Sequence, residues 1–466
     1  MRTISPGPGR TVFCLLVSMV IGTTSAFARQ TTITGSAGTV VDYRERSYKH
    51  DNSAYSDNGD RQKIGIQPEI LIVSQDVRDS LRLRYSPTLS RDILFGENEV
   101  DHQLNLDAER WLSQFWSVSV TETYIRSDDP ETLTRNRTTD TTDNRLSRDL
   151  SGRTYWTNTV NARTDYAFDQ FSRLSSGYSY SVLRNDENTD GYEDHDRHAL
   201  FADLAYGFSP NWRTNLGVDY SRGLYDRKQS PGTNTIATPD LDQYGFRFGV
   251  EYFRTPTDSY LFNYSFNQTL YDGDTRLDNK FHAWSLGWNH AFDSRTRVTL
   301  GAGPAYAVIQ GQDGSWGYNA YATLMRTYEH ATLALDLSKT YQTNNFTGNA
   351  ADSGLTDTYS ARGTFSYRHT QHLAFNVYGG FRSESNLDPQ GAYRTSAGST
   401  RTKTGDVSYD KNIYEAGIGC TYTFARWYTA GLTYGYYVSD GNLNNDQYTD
   451  HQILFTLRAQ HNLWRW

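Results

Sequence analysis

Residues 280–292 read "KFHAWSLGWNHAF", and their side chains sort by alternate positions. Trp284, Leu286, Trp288 and Phe292 take one parity; Ala283, Ser285, Gly287 and Asn289 take the other. A period of two marks an extended strand with two unlike faces, because successive side chains of a strand point to opposite sides. After only "DSR" the next run repeats the pattern, with Val298, Leu300, Ala302, Tyr306 and Val308 opposing Arg297, Thr299, Gly301 and Gly303. Phe246, Phe248, Val250 and Tyr252 likewise oppose Gly245, Arg247, Gly249 and Glu251, and Tyr260, Phe262, Tyr264 and Phe266 alternate with Asn263, Ser265 and Asn267. Tyr428, Ala430, Leu432, Tyr434 and Tyr436 oppose Thr429, Gly431, Thr433 and Gly435. A succession of such segments predicts an all-β fold with one apolar and one wet face.

The connections alternate too. Tight ones fall near 112–114, 169–170, 209–211, 255–258, 293–295, 329–330, 369–371 and 426–427, beside aromatics such as Trp111, Trp116, Phe168, Phe171, Phe208, Trp212, Trp427 and Tyr428. Between them lie longer polar stretches, including 127–152, 185–196, 226–242, 343–357 and 384–412. One rim therefore carries tight turns and an aromatic belt, and the other carries long loops.

Alternation alone fits a soluble β-sandwich or solenoid as well as a membrane barrel. The start of the chain separates them. Arg2 and Arg10 precede "TVFCLLVSMVIGTT" and then Ala26-Phe27-Ala28, the layout of a cleaved secretory leader over 1–28. No later run approaches the ~20 apolar residues of a spanning helix. The remainder, 29–466, shows no linker and reads as one transmembrane antiparallel up-and-down β-barrel in the outer membrane of a Gram-negative cell. With 35 Tyr against 3 Met and a mean hydropathy of -0.70, the chain lacks the makings of a conventional aliphatic core.

In such a barrel the apolar parity meets lipid and the other parity meets water. A Lys or Arg on the lipid face near midplane costs roughly 2–4 kcal/mol, so mid-strand charges belong to the lumen. The residues assigned there are Arg82, Arg84, Asp107, Asp203, Arg247, Glu251, Arg297, Asp336, Arg362 and Arg368. Counting from "TVVDYRERSY" and "KIGIQPEILI" gives about 20 strands, or about 18 if that irregular first pair is set aside. The last strand, "QILFTLRAQHNLWRW", ends in Trp464 and Trp466, which are expected at the membrane interface on the tight-turn side; its parity shifts between Leu457 and Trp464, which predicts a bulge.

Chemical motifs are sparse. "YEDHDRH" holds Glu193, Asp194, His195, Asp196 and His198, a conceivable cation set, but its place in a long polar loop makes a solvated stretch the simpler reading. "DGDTRLDN" at 272–279 starts like a calcium loop and lacks the closing Glu. There is no G-x-S-x-G elbow, no H-E-x-x-H and no phosphate-binding loop, so no enzyme, metal site or cofactor is expected. Loss of the leader removes Cys14 and leaves Cys420, on the lipid parity, so the mature chain has no intrachain disulfide and no C-x-x-C-H haem attachment. Its acidic balance, 53 Asp and Glu against 45 Lys and Arg, disfavours nucleic acid as a partner. The longest connection on these boundaries, 384–412, is expected to fold inward and narrow the pore, with Arg394, Arg401 and Lys403 matched by Glu384, Asp388, Asp406 and Asp410.

The run "KIGIQPEILIVSQDVRDSLRLRYSPTLSRDI", after "DYRERSYKHDNSAYSDN", resembles the opening of the β-barrel porin type 2 family and of outer-membrane barrels associated with exopolysaccharide systems. The resemblance is one of layout along nearly the whole mature chain. It implies a pore through which a secreted exopolysaccharide crosses the outer membrane, docked to a separate periplasmic polysaccharide-export protein. A general diffusion porin and a sheath around a cytochrome electron conduit are the alternatives. The terminal aromatic resembles an insertion signal, which implies recognition by the barrel assembly machinery, and the outer face implies outer-membrane lipid and lipopolysaccharide as neighbours.

Overall fold

The computed structural model describes residues 29–49, 60–128, 154–186, 193–226, 239–273, 276–346, 354–387, 410–441 and 447–465. The expected leader 1–28, Trp466 and residues 388–409 of the expected pore loop lie outside them. Strands pair antiparallel with their neighbours along the chain, and β1 (Gln30–Tyr48) pairs with both β2 (Arg61–Gln75) and β21 (Tyr448–Arg465), which closes the sheet into a ring. β3 (Asp79–Tyr85) and β4 (Thr88–Asp92) both pair with β2 and with β5 (Asn98–Ser113), so they are two lengths of one stave. The break falls at Ser86 and Pro87, where proline has no N–H to give the ladder. The wall thus has 20 staves, the larger of the two counts read from the sequence. At about 4.8 Å between strands and a tilt near 40°, such a ring is roughly 40 Å across its backbone.

β1 begins at Gln30, earlier than its alternation indicates. Gly35, Ser36, Ala37 and Gly38 are too small and polar to show a pattern, yet each stays in register with β2, from Ile70 to Gln67. The tight turns fall where the sequence puts them. At Asp169 and Asp293 the carboxylate closes the turn by accepting two backbone N–H bonds, from Phe171 and Ser172 at 2.6 and 2.8 Å and from Arg295 and Thr296 at 2.7 and 2.6 Å.

The apolar parity is the outer face. Leu286 and Trp316 are each 70% exposed, and Ile64, Ile66, Leu200, Leu432 and Ile418 are exposed beside them. Each such side chain is worth ~1.5–3 kcal/mol when removed from water, so a belt of them is stable only against hydrocarbon. At the tight-turn rim the belt ends in aromatics: Trp111, Trp116, Phe168, Phe208, Trp212, Phe292, Trp427 and Trp464 are all exposed. Toward the long-loop rim it ends in four repeated pairs, in which a tyrosine hydroxyl meets the Nδ1 of a histidine on the next stave: Tyr85–His102, Tyr178–His198, Tyr264–His282 and Tyr434–His451, at 2.7–2.9 Å. Cys420 lies on the outer parity, opposite Phe375 and Leu432.

Candidate functional site: a strand end turned into the barrel

β16 (Ala331–Asn344) starts as an ordinary stave, with Leu333, Leu335 and Leu337 on the outer parity. Its ladder with β15 (Ser315–Thr327) stops at Ala320 opposite Lys339, while its ladder with β17 (Gly354–Arg368) continues to Asn344 opposite Gly354. Past Lys339 the side chains that continue the leucine parity do not reach lipid. Tyr341 and Leu355 are buried in one cluster with Phe281 of β13 (Asn279–Ala291) and Ala305, Ala307 and Ile309 of β14 (Thr296–Ile309). On those staves Phe281 and the alanines have the wet parity, opposite to Trp284 and Leu300. The end of β16 and the start of β17 therefore lie inside the ring, their backs against the inner face of β13 and β14.

The two residues after β16 carry the contact further round the ring. Phe346 is buried with Tyr225 of β10 (Trp212–Asp226), Leu241 of β11 (Leu241–Thr255) and Tyr271 of β12 (Asp258–Tyr271). Its ring lies 5.4 Å from that of His195 on β9 (Asp194–Ser209), and the Arg197 guanidinium sits 4.4 Å above it. The Tyr225 hydroxyl donates to the Asn345 carbonyl, and the Tyr271 hydroxyl donates to Asn345 Oδ1 at 2.8 Å. Gly223 makes room for this: a Cβ there would come within 2.7 Å of the Phe346 ring. Gly317 serves Tyr341 in the same way. Where β16 leaves β15, the Lys339 ammonium pairs with Asp357 at 2.9 Å and lies 4.8, 4.1 and 5.6 Å from the ring centres of Tyr318, Tyr341 and Tyr359.

Two expectations are corrected here. "YEDHDRH" is not a solvated loop: β9 begins at Asp194, and Glu193, Asp194 and His195 are buried, because Phe346 and Tyr225 cover that end of the strand. Among the described residues no group of three His, Cys, Asp or Glu side chains converges as a metal site. The connection 384–412 is shorter than expected, since β18 (Leu373–Asn386) and β19 (Asp410–Phe424) extend into it from both ends and Glu384 pairs with Arg382. The connection between Ser127 and Tyr155 is longer. The described segment that crosses the interior is the end of β16.

The ten charged residues singled out from the sequence share one face of the sheet, that of Tyr225 and Tyr271, by the register from stave to stave. Several meet. Arg247 bonds Asp203 at 3.1 Å and lies 3.6 Å from Asp219. Arg84 bonds Glu69 at 2.7 Å, and Arg458 reaches the same carboxylate from β21. Arg82 stands opposite Asp107, and Asp336 opposite Arg362. Glu251 accepts from the Ser259 hydroxyl at 2.6 Å. Arg297 and Arg368 do not join these pairs: Arg297 stands opposite Ala291 and Met325, and Arg368 opposite Ala374 at a tight turn. Trp464 is 63% exposed on the outer parity, opposite Ile33, and the expected bulge lies beside it: Leu463 is the extra residue between Asn462 and Trp464. The sequence reading missed Thr340–Phe346 and the inner-face Gly223, Tyr225 and Tyr271. Its available signal was Lys339, a charge continuing the parity of three leucines.

A closed antiparallel barrel with an apolar outer belt, aromatic rims and a charged inner face has the architecture of an outer-membrane β-barrel. No family model matches the chain, and no curated protein matches it. Among solved structures it is similar to the ferric enterobactin receptor PfeA of Pseudomonas aeruginosa in complex with enterobactin: 10% identity, 92% of this chain and 81% of that one, TM-score 0.51. A second structure of that receptor gives 10% identity, 92% and 80% coverage and a TM-score of 0.50. OpdL of the same organism gives 12% identity, 93% and 99% coverage and a TM-score of 0.41. The likeness is one of fold.

Proposed function

We propose that the chain is a water-filled diffusion channel for small hydrophilic solutes, narrowed toward its long-loop rim by Thr340–Phe346. The observation that carries this is the contact of Asn345 and Phe346 with Tyr225 and Tyr271, staves far round the ring from β16. A ring of 20 staves is too wide for its own side chains to fill, and a strand end laid across it reduces the free cross-section without closing it by size alone. Arg82, Arg84, Asp107, Asp203, Arg247, Glu251, Arg297, Asp336, Arg362 and Arg368 line the water column in this reading. Because most stand beside opposite charges, the wall suits neutral or mixed-charge solutes more than a strongly selected ion. The long loops face outside the cell, lipopolysaccharide and phospholipid surround the belt, and the barrel assembly machinery inserts the chain.

Export of an exopolysaccharide, the use implied by the family resemblance, asks for a bore that a hydrated glycan can thread continuously. The inward strand end favours small solutes instead. Planar-bilayer recording with liposome swelling tests the proposal. Conductance is expected without any partner protein, with swelling rates that fall as the test sugar lengthens. A correctly folded barrel that neither conducts nor admits small sugars overturns it.

A further inference from the structure

The unpaired ends of β15 and β16 match. Both strands run on past the last rung, Ala320 opposite Lys339: β15 stays bonded to β14 as far as Ser315, and β16 stays bonded to β17 as far as Asn344. Continuing the same one-for-one register would set Asn319 opposite Thr340, Tyr318 opposite Tyr341, Gly317 opposite Gln342, Trp316 opposite Thr343 and Ser315 opposite Asn344. The two strands would run out together. A second observation points the same way. Asn319 Oδ1 and Gln342 Nε2 are both buried without a hydrogen-bond partner among the described residues. One is an acceptor and the other a donor, and in the continued ladder they are diagonal neighbours on one face, within reach of each other.

The alternation of β16 suits both positions. Thr340, Gln342 and Asn344 have the wet parity, whereas Tyr341, and Leu355 on β17, have the lipid parity. Turned inward, Tyr341 and Leu355 bury against β13 and β14. Zipped to β15, Tyr341 would stand beside Tyr318 toward the long-loop rim of the belt, an interface where a tyrosine is equally at home. Lys339 sits at the fork and bonds Asp357, on the strand that would move with it.

We propose that Thr340–Phe346 is a gate with two seats, the inward one seen here and one zipped into the wall on β15, which widens the bore. Apolar burial holds the first seat; a restored ladder and an Asn319–Gln342 bond hold the second. The inference rests on the diffusion-channel reading for its effect on flux, but not for the movement itself.

Two cysteine pairs, made in a Cys420→Ser background, test it. Ser315→Cys with Asn344→Cys brings two thiols face to face only when the strands are zipped, at the separation of opposed strand residues, which a disulfide accepts. Gly223→Cys with Phe346→Cys joins residues whose side chains touch in the inward seat, and a short reducible bis-methanethiosulfonate spans the length of the lost ring. The first pair is oxidised and the second bridged after insertion, and both are scored on gels, then by single-channel recording before and after reduction. Both are expected to cross-link, the first fixing a conductance several-fold above the second, with reduction restoring transitions between the levels. Failure of Ser315/Asn344 to cross-link in barrels where Gly223/Phe346 does so overturns the gate, as does cross-linking of both with equal conductance. If both pairs form in barrels that never conduct, the gate's movement stands and the diffusion-channel reading falls.

Discussion

Tyr271 donates its hydroxyl proton to the side-chain oxygen of Asn345 at 2.8 Å, joining β12 to the chain that leaves β16 with three staves of wall between them. Tyr225 donates to the backbone carbonyl of the same residue. One asparagine thus receives two tyrosine hydroxyls that are both buried. A buried hydroxyl left without its partner costs about 1–3 kcal/mol, so these bonds fix where the strand end rests.

Asn345→Ala removes the side-chain acceptor of the Tyr271 hydroxyl and with it the bond that ties Asn345 to β12. Phe346→Ala removes the ring that fills the space above Gly223. Both variants are expected to fold, because the wall ladders are untouched, and to conduct more than the wild type. Tyr271→Phe should have a smaller effect in the same direction, since it removes the donor together with its need for a partner. Conductance histograms in planar bilayers measure this; an unchanged Phe346→Ala histogram would mean the ring does not narrow the path.

The wall was legible because it obeys a local rule. Trp284, Leu286 and Trp288 declare their face by parity, tight turns close on Asp169 and Asp293, and the lost parity before Trp464 foretells the Leu463 bulge. The interior was not legible, because it depends on residues far apart in sequence. Phe346 has a seat only because Gly223, Tyr225, Leu241 and Tyr271 come together when the ring closes. Length misled too: 384–412 looks like one uninterrupted connection, whereas strands β18 and β19 take up its ends. Lys339 was the local clue, since a charge following Leu333, Leu335 and Leu337 has no stable place in hydrocarbon.

Face assignment predicts thiol chemistry. In a Cys420→Ser background, Arg247→Cys should react with a water-soluble, membrane-impermeant maleimide, because Arg247 stands among Asp203, Asp219 and bare Gly217 on the inner face. Phe248→Cys, one residue on, packs beside Phe262 on the outer face and should be protected in intact membranes. Faster labelling at 248 than at 247 would reverse the barrel's inside and outside.

The bulge at Leu463 predicts an asymmetry at the last strand. The register puts Asn462 opposite Thr34 and Trp464 opposite Ile33, so Leu463 lies outside the ladder. Deleting Leu463 keeps both rungs and leaves Trp464 on the outer parity; assembly should proceed nearly as in the wild type. Trp464→Ala keeps the bulge but loses an indole that is 63% exposed at the tight-turn rim, and should slow assembly. Heat-modifiable gel mobility in a time course distinguishes the two, and greater damage from the deletion would show that the bulge itself is required.

The turn carboxylates predict a response to acid. Backbone N–H groups of Arg295 and Phe171, foremost among their contacts, hold the Asp293 and Asp169 carboxyls below the usual carboxylate range. A carboxyl whose folded pKa lies below its unfolded value of about 3.9 adds stability in full above that value and loses it as pH falls through the folded one. Turn 293–296 should therefore be equally well closed from neutral pH down to about 4, and open more readily below it. Asp293→Asn keeps an acceptor oxygen without the charge, so its turn should be somewhat weaker at neutral pH and insensitive to acid. Asp293→Ala should leave the turn open at every pH. Amide exchange at Arg295 and Thr296, whose N–H groups make the two bonds, reads the outcome directly; equal protection in wild type and Asp293→Ala at pH 7 would show that the carboxylate does not close the turn.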